Sequence, residues 1–255
     1  MESVEIRQKR IEALLPREVA ALHIFEETDS TNTQARLYAA NGGSSPALFI
    51  ADSQTAGRGR TGKSFYSPKS TGVYASLLLP AEPRDAVYMT TAAAVAVRRA
   101  IERVTGISAD IKWVNDLYLR GKKVAGILCE SLFVENRGYV IIGFGINVST
   151  SDFPDELLGV ATSLGLHGNT AIKDTLAAAC TEELIAVWKS GLTPTLLYEY
   201  KKNSAVLGKH ILYTESGISR EGTATDIDSE GRLLVRLDDG SELALSSGEI
   251  SVRLI

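Results

Sequence analysis

Cysteine and histidine are scarce in this chain. Two cysteines, Cys129 and Cys180, and three histidines, His23, His167 and His210, are spread through 255 residues. With no C-x-x-C spacing and no cluster, a disulfide framework and a Cys/His zinc site are both excluded, and a reducing compartment fits. Long apolar runs are missing too. The nearest approach, residues 139–148, falls well short of the roughly 18 residues a membrane-spanning helix needs. The opening MESVEIRQKRIEALL mixes both charge signs with apolar residues and has no continuous apolar core of a signal peptide. The expected location is cytoplasmic, with no membrane partner. Charge of one sign is lacking as well: 27 Lys+Arg stand against 31 Asp+Glu, a net −4, without the basic footprint of a nucleic-acid binder. Any anion must be held by a local cluster.

What is present is ordinary globular composition, 44% hydrophobic and 23% charged. At roughly 150 residues per domain, the length implies one full domain and a smaller one. Residues 4–15 space their apolar side chains helically up to Pro16. A helix over 34–40 is capped from within Asp29-Ser30-Thr31-Asn32 and ends at Asn41-Gly42-Gly43. Residues 47–51 and 73–79 are expected as strands, and the Ala/Val-rich stretch 86–104 as a core helix ending at Gly106. Three β-like runs follow, 116–119, 124–134 and 138–148. Their connectors are too short for crossover helices, so they pair antiparallel, and a purely parallel doubly wound sheet is excluded. Helices return at 172–189 and 194–203. The last fifty residues change to short runs at 209–213, 222–227, 233–237, 242–245 and 251–254, the pattern of a small all-β module, with the boundary near Ser204.

Gly57-Arg58-Gly59-Arg60-Thr61-Gly62-Lys63-Ser64 matches by letter both G-x-G-x-x-G and the G-x-x-x-x-G-K-S phosphate loop. Both motifs work through a helix that begins at the loop's end. Here Phe65 to Gly72, with Pro68 between them, leads straight into a strand, so neither motif has its structural context. The physical content remains. Residues 54–73 carry Arg58, Arg60, Lys63 and Lys69 with no acid, and interleaved glycines let backbone N–H groups approach an anion. A solvated loop would look the same, so other segments must decide.

Three others bear on it. Lys112-Trp113-Val114-Asn115-Asp116 bunches an amide, a carboxylate and an ammonium after a short strand. Lys122-Lys123-Val124-Ala125-Gly126-Ile127-Leu128 puts two lysines at the mouth of an apolar strand. Gly143-Phe144-Gly145-Ile146-Asn147-Val148 sets two glycines and an amide in another, which implies a bulge or a close approach by backbone or ligand. In this order, together with Asp29-Ser30-Thr31-Asn32 and the segment from Gln54 to Gly62, they resemble the biotin–protein ligases, over a stretch from about His23 to the C-terminus.

The resemblance implies an α+β fold: a mixed, mainly antiparallel sheet flanked by helices, followed by a small C-terminal β-barrel. The expected division is a helical extension over 1–22, a catalytic domain over 23–203 and the barrel over 204–255. It implies ATP with magnesium and biotin as ligands, no tightly bound metal, and transfer of biotin to a lysine of a biotin carboxyl carrier protein, with a homodimer allowed. Ser30, Thr31, Asn32, Gln54, Arg58, Gly59, Arg60, Lys123 and Gly126 would hold biotin. Arg58, Arg60, Lys112, Asn115, Asp116, Lys123 and Asn147 would serve ATP, with Asp116 meeting nucleotide-borne magnesium. Lys123, Arg58 and Arg60 would carry catalysis by offsetting developing negative charge. Two positions depart from the family pattern. Val114 stands where proline is usual, affecting turn rigidity, and Thr61 where arginine is common, removing one loop cation. Some relatives carry an N-terminal helix-turn-helix; about 22 residues before the catalytic domain leave room for one helix, so no DNA partner is expected. A lipoate or octanoyl ligase is the nearest rival and a non-catalytic sensor the next. The Gly-Arg-Gly-Arg loop followed by Lys112-Trp113-Val114-Asn115-Asp116 disfavours the first, and the joint presence of Arg58, Lys123 and Asn147 the second.

Overall fold

The computed structural model describes residues 4–81, 85–167, 171–215, 218–246 and 251–254. Helix α1 (Val4–Leu14) stops before Pro16, and β1 (Ala21–Thr28), α2 (Thr31–Ala40) and β2 (Ala47–Gln54) form a parallel β-α-β unit pairing His23 with Phe49. The parallel register follows from the intervening helix, which returns the chain to the same end. Strand β1 was not anticipated: its half-buried run ALHIFEET lacks a clean alternation. Helix α2 begins at Thr31, three residues earlier than expected. Ser30 is its N-cap, and the Asp29 carboxylate accepts from Ser30 N and Gln34 Nε2.

Strand β3 (Gly72–Pro80) leads to α3 (Asp85–Thr105), which stops where Gly106 takes a φ of +70°. A left-handed residue just beyond the last turn suits glycine. Strands β4 (Asp110–Lys112), β5 (Asp116–Leu119), β6 (Lys122–Val134) and β7 (Arg137–Asn147) then run antiparallel as expected. Arg120 and Gly121, both at positive φ, make the tight β5–β6 turn, a backbone twist that matches right-handed strands. The seven strands lie in the order β1-β2-β3-β7-β6-β5-β4.

Helices α4 (Ala171–Ser190) and α5 (Pro194–Lys202) complete the main layer. Thr193 caps α5 by accepting from Leu196 N, with Pro194 in the first turn, where its missing N–H costs nothing. One sheet face, with Val73, Ala75, Leu77, Ile142 and Ile146, packs into a single core with α3 and α4. The other face is covered at one end by α2, through Ala35, Ala39, Phe49, Leu78 and Ile141. Its other end is left open.

The C-terminal segment forms a five-stranded antiparallel sheet, β8 (His210–Glu215), β9 (Ile218–Ile227), β10 (Leu233–Arg236), β11 (Glu242–Leu245) and β12 (Ser251–Leu254), in the order β11-β10-β9-β8-β12. These pairings are those of an open sheet and do not of themselves join its outer strands. Trp113 Nε1 donates to Gly231 O at 3.0 Å, tying this sheet to the β4–β5 connection. No helix among the described residues is long and apolar enough to cross a membrane.

Candidate active site

The uncovered end of the sheet is a trench. Across it, Tyr74 pairs with Gly145, Gly145 with Gly126 and Gly126 with Asp116; one step along, Ser76 pairs with Gly143 and Gly143 with Leu128. Glycines at 126, 143 and 145 remove the side chains that would fill that face. A Cβ on Gly143 would lie 2.2 Å from Asn32 Oδ1, and one on Gly145 2.5 Å from the Phe65 ring. These strand glycines therefore mark close approach, as their position in an apolar strand implies.

The resulting cavity, about 700 Å³, is lined by every residue assigned above from the sequence except Asn147. Asn147 is buried beside the wall instead. Its Nδ2 donates to Thr162 O at 3.0 Å, and its Oδ1 is buried with no hydrogen-bond partner.

At one end lies a polar floor set by the first turn of α2. Thr31 N donates to Gln54 Oε1 at 2.9 Å, and Gln54 Nε2 donates to Ser67 Oγ at 2.9 Å. Ser76 Oγ lies 2.7 Å from Thr31 Oγ1 and 2.5 Å from Asn32 Oδ1. Ser30, Thr31, Asn32 and Ser76 are all buried. Fixed donors and acceptors of this kind discriminate by leaving a wrong ligand's partners unpaired.

At the other end is a cationic wall. Lys123 Nζ sits 2.7 Å from Asp116 Oδ1, Lys112 Nζ donates to Tyr118 OH at 3.1 Å, and Arg60 Nη1 donates to Asn115 Oδ1 at 3.2 Å. Burial pushes the Arg60 guanidinium below its ordinary pKa, opposed by Asp116, and pushes the Tyr118 phenol up.

The cation loop joins the two ends as a miniature hairpin. Phe65 N donates to Gly57 O at 2.9 Å and Gly59 N to Lys63 O at 2.7 Å, around a single 3₁₀ turn at Arg60–Gly62. No α-helix follows the loop, so the phosphate-loop motif is absent in structure as it was in context. Gly57 is required by contact, since a Cβ there would meet Phe65 O at 2.4 Å. Tyr74 OH donates to Pro68 O at 3.0 Å below the loop's exit, and burial pushes that phenol up to about 12.

The sequence did not single out several residues that shape the site, among them Glu130, Ser76, Phe65, Ser67 and Tyr118. Two of these carried a signal. Glu130 is the sole acid in the strand KKVAGILCESLFV, and Ser76 the sole side-chain hydroxyl facing inward from GVYASLLLP apart from Tyr74.

A glycine-floored trench on a mixed sheet, bounded by a polar pocket and a cluster of cations, has the make-up of a site that holds a small carboxylic acid beside a phosphate. Two family models match the chain: the biotin/lipoate A/B protein ligase family over residues 24–147 and the biotin protein ligase C-terminal domain over 206–253. The bifunctional ligase/repressor BirA of Bacillus subtilis is 35% identical over 92% of this chain and 76% of its own length. The biotin–[acetyl-CoA-carboxylase] ligase of Paracoccus denitrificans is 31% identical over 86% of this chain and 96% of its own. Among solved structures, the biotin protein ligase of Aquifex aeolicus in complex with biotin and ATP superposes with a TM-score of 0.77 at 27% identity, covering 92% of this chain and all of that one. The chain belongs to the biotin/lipoate A/B protein ligase family, in its biotin protein ligase branch.

Proposed function

We propose that the protein activates biotin with ATP and transfers it to a lysine of a biotin carboxyl carrier protein. The biotin carboxylate attacks the α-phosphate of ATP, the bond to pyrophosphate breaks, and biotinyl-5′-AMP forms. The neutral amine of the acceptor lysine then attacks the acyl carbon, gives up a proton, and expels AMP. The observation that carries this reading is that one cavity has a polar floor at one end and Lys112, Asp116, Lys123 and Arg60 at the other.

The first step brings two anions together, so catalysis rests on positioning and on cations held along the cavity wall. Lys123 bridges the carboxylate and the α-phosphate, and Arg60 faces them from the loop. Ser30, Thr31, Asn32 and Gln54 hold the ureido ring, with Gly126 leaving room for the chain; Arg58 and Gly59 bring the loop over the carboxylate. Lys112, Asn115 and Asp116 serve ATP, with Asn147 beside them on the trench face of β7. Four neighbouring polar side chains suit a ureido group better than the apolar dithiolane of lipoate.

Magnesium fits only as an ion carried by the nucleotide, because Asp116 is one carboxylate and no group of three His, Cys, Asp or Glu gathers among the described residues. When bound, it would neutralise phosphate charge; Asp116 is the chain's contribution. In this reading residues 1–22 are a helical extension, 23–203 the catalytic domain and 204–255 a small barrel. The enzyme works in the cytoplasm, DNA and membranes are not among its partners, and a homodimer is allowed.

The test is incubation with ATP, magnesium and labelled biotin, followed by addition of a carboxyl carrier fragment. Labelled adenylate that moves onto the fragment is expected. Absence of any labelled adenylate overturns the reading.

A further inference from the structure

Glu130, on β6, receives both Nη groups of Arg58: Nη1 donates to Oε2 at 3.1 Å and Nη2 to Oε1 at 2.9 Å. This is the two-point geometry in which a guanidinium binds a carboxylate most specifically. The same carboxylate accepts from Asn32 Nδ2 at 2.8 Å, and Arg36 approaches it at 3.4 Å from outside the cavity. The Glu130 side chain is only 16% exposed, against 43% for Arg58.

Because an ionised carboxylate only accepts, Glu130 dictates how the Asn32 amide is turned: Nδ2 toward Glu130 and Oδ1 toward Ser76, 2.5 Å away. From Ser76 the contacts pass to Thr31, then Gln54, then Ser67, whose hydroxyl donates to Phe65 O at 3.0 Å. Arg58 and Phe65 are the two ends of the hairpin formed by the cation loop. A single polar chain therefore runs under the cavity from one end of the loop to the other, and the side chains proposed to hold biotin are its middle links.

We infer that Glu130 is a positioning residue: it docks Arg58 and, by orienting Asn32, couples occupancy of the polar floor to closure of the cation loop. Arg58 then acts through the placement of the loop, and the charge that faces the reacting atoms comes from Arg60 and Lys123. The coupling has a physical basis. Arg58, Arg60 and Lys63 stand close together in the loop and repel one another, and the Glu130 carboxylate offsets the charge of Arg58 only while the loop is docked. A ligand that fixes Asn32 and Thr31 stiffens the same chain that fixes Arg58. This inference rests on the biotin-ligase reading for the identity of the floor's ligand; the docking of Arg58 does not.

The experiment uses the full chain with Glu130→Gln, Glu130→Asp, Arg58→Ala and the double variant Arg58→Ala/Glu130→Gln. Trypsin cleavage after Arg60 and Lys63 is followed without ligand and with biotin, alongside steady-state adenylation and the thermal midpoint. Glu130→Gln should speed cleavage several-fold without ligand, abolish protection by biotin, and raise the KM for biotin roughly tenfold or more, the size of a lost charge-assisted hydrogen bond. The KM for ATP and the thermal midpoint should stay near wild type. The double variant should be no worse than either single one, and Glu130→Asp should recover part of the protection. Unchanged cleavage and unchanged biotin KM in Glu130→Gln would overturn the inference, as would a fall in kcat with both KM values intact. If the wild type makes no adenylate, the ligase reading fails, while cleavage rates without ligand still decide whether Glu130 docks the loop.

Discussion

Lys123 Nζ lies 2.7 Å from Asp116 Oδ1 although the two residues are not paired across their hairpin. Asp116 pairs with Gly126, and Lys123 with Tyr118, because the β5–β6 register shifts between Leu117 and Tyr118. The shift makes Val124 the extra residue of a bulge, which re-aims side chains relative to a regular strand. Lys123 and Gly126 consequently share a face three residues apart, and a Cβ on Gly126 would lie 2.9 Å from Lys123 Nζ. Bulge and glycine together bring the ammonium to the carboxylate.

Lys123→Ala should lower the rate of adenylate formation by about 10²–10³, the usual loss when one stabiliser of developing charge is removed. Biotin affinity should change little, because the polar floor is intact. Pyrophosphate release measured beside biotin titration calorimetry separates the two; undiminished biotinyl-AMP synthesis would remove Lys123 from its proposed role.

Ser76→Ala deletes a fully buried hydroxyl that serves both Thr31 and Asn32. Leaving the Asn32 carbonyl oxygen without its donor should cost about 1–3 kcal/mol of stability. Chemical denaturation gives that number, and biotin KM should rise in the same variant.

Gly143→Ala puts a methyl group 2.2 Å from Asn32 Oδ1. Strand β7 is held on both sides by β3 and β6, so Asn32 must move, at about 1–3 kcal/mol for overpacking. Weaker biotin binding with near-normal ATP binding is expected from paired KM measurements.

Arg7 ties α1 to the body of the fold. Its Nε and Nη2 each lie 3.0 Å from Asp174 Oδ1 on α4, and its Nη1 donates to Asp52 on β2 at 2.7 Å. Arg10 also pairs with Asp174. Arg7→Ala leaves a buried carboxylate with one of its two cations and should cost about 2 kcal/mol, the scale of a hydrogen bond to a charged group. A shift in the urea midpoint with an unchanged slope would establish it.

His23 stacks on Phe49 at 4.8 Å and meets Tyr38 edge-on at 4.7 Å, and burial holds its pKa below the ordinary value. Below the unfolded-state pKa of about 6.5, the unfolded chain binds a proton that the folded chain refuses. Its contribution is therefore complete above that pH and is lost as pH falls toward the folded pKa. Denaturation between pH 8 and 5 should show His23→Phe losing less stability than wild type over that interval.

The antiparallel strands from Asp116 onward, the long alanine-rich helix and the change of character near Ser204 were all legible, because short connectors, a helical period and turn residues act locally. The glycines in β7 were read as a bulge or a close approach, and contact with Asn32 and Phe65 decides for close approach. Strand β1 was not legible: its parallel partner lies beyond a helix, and its burial pattern is set by neighbours distant in sequence. Glu130 was hidden for the same reason, since nothing near it in sequence says that Arg58, Arg36 and Asn32 converge on it. Asn147 lies two residues beyond Gly145 on the same face of β7, and nothing in its motif says that its Nδ2 is taken up by Thr162 O.

By itself the sequence determined most element types and the absence of a phosphate-loop helix despite its letters, and it named the residues proposed to bind a carboxylate and a phosphate. Only the tertiary structure decided which of them share a cavity. A local motif can supply a cation or a glycine. Bringing Lys123 to Asp116 takes a bulge, and bringing Arg58 to Glu130 takes a sheet that sets residues 72 positions apart within hydrogen-bond reach.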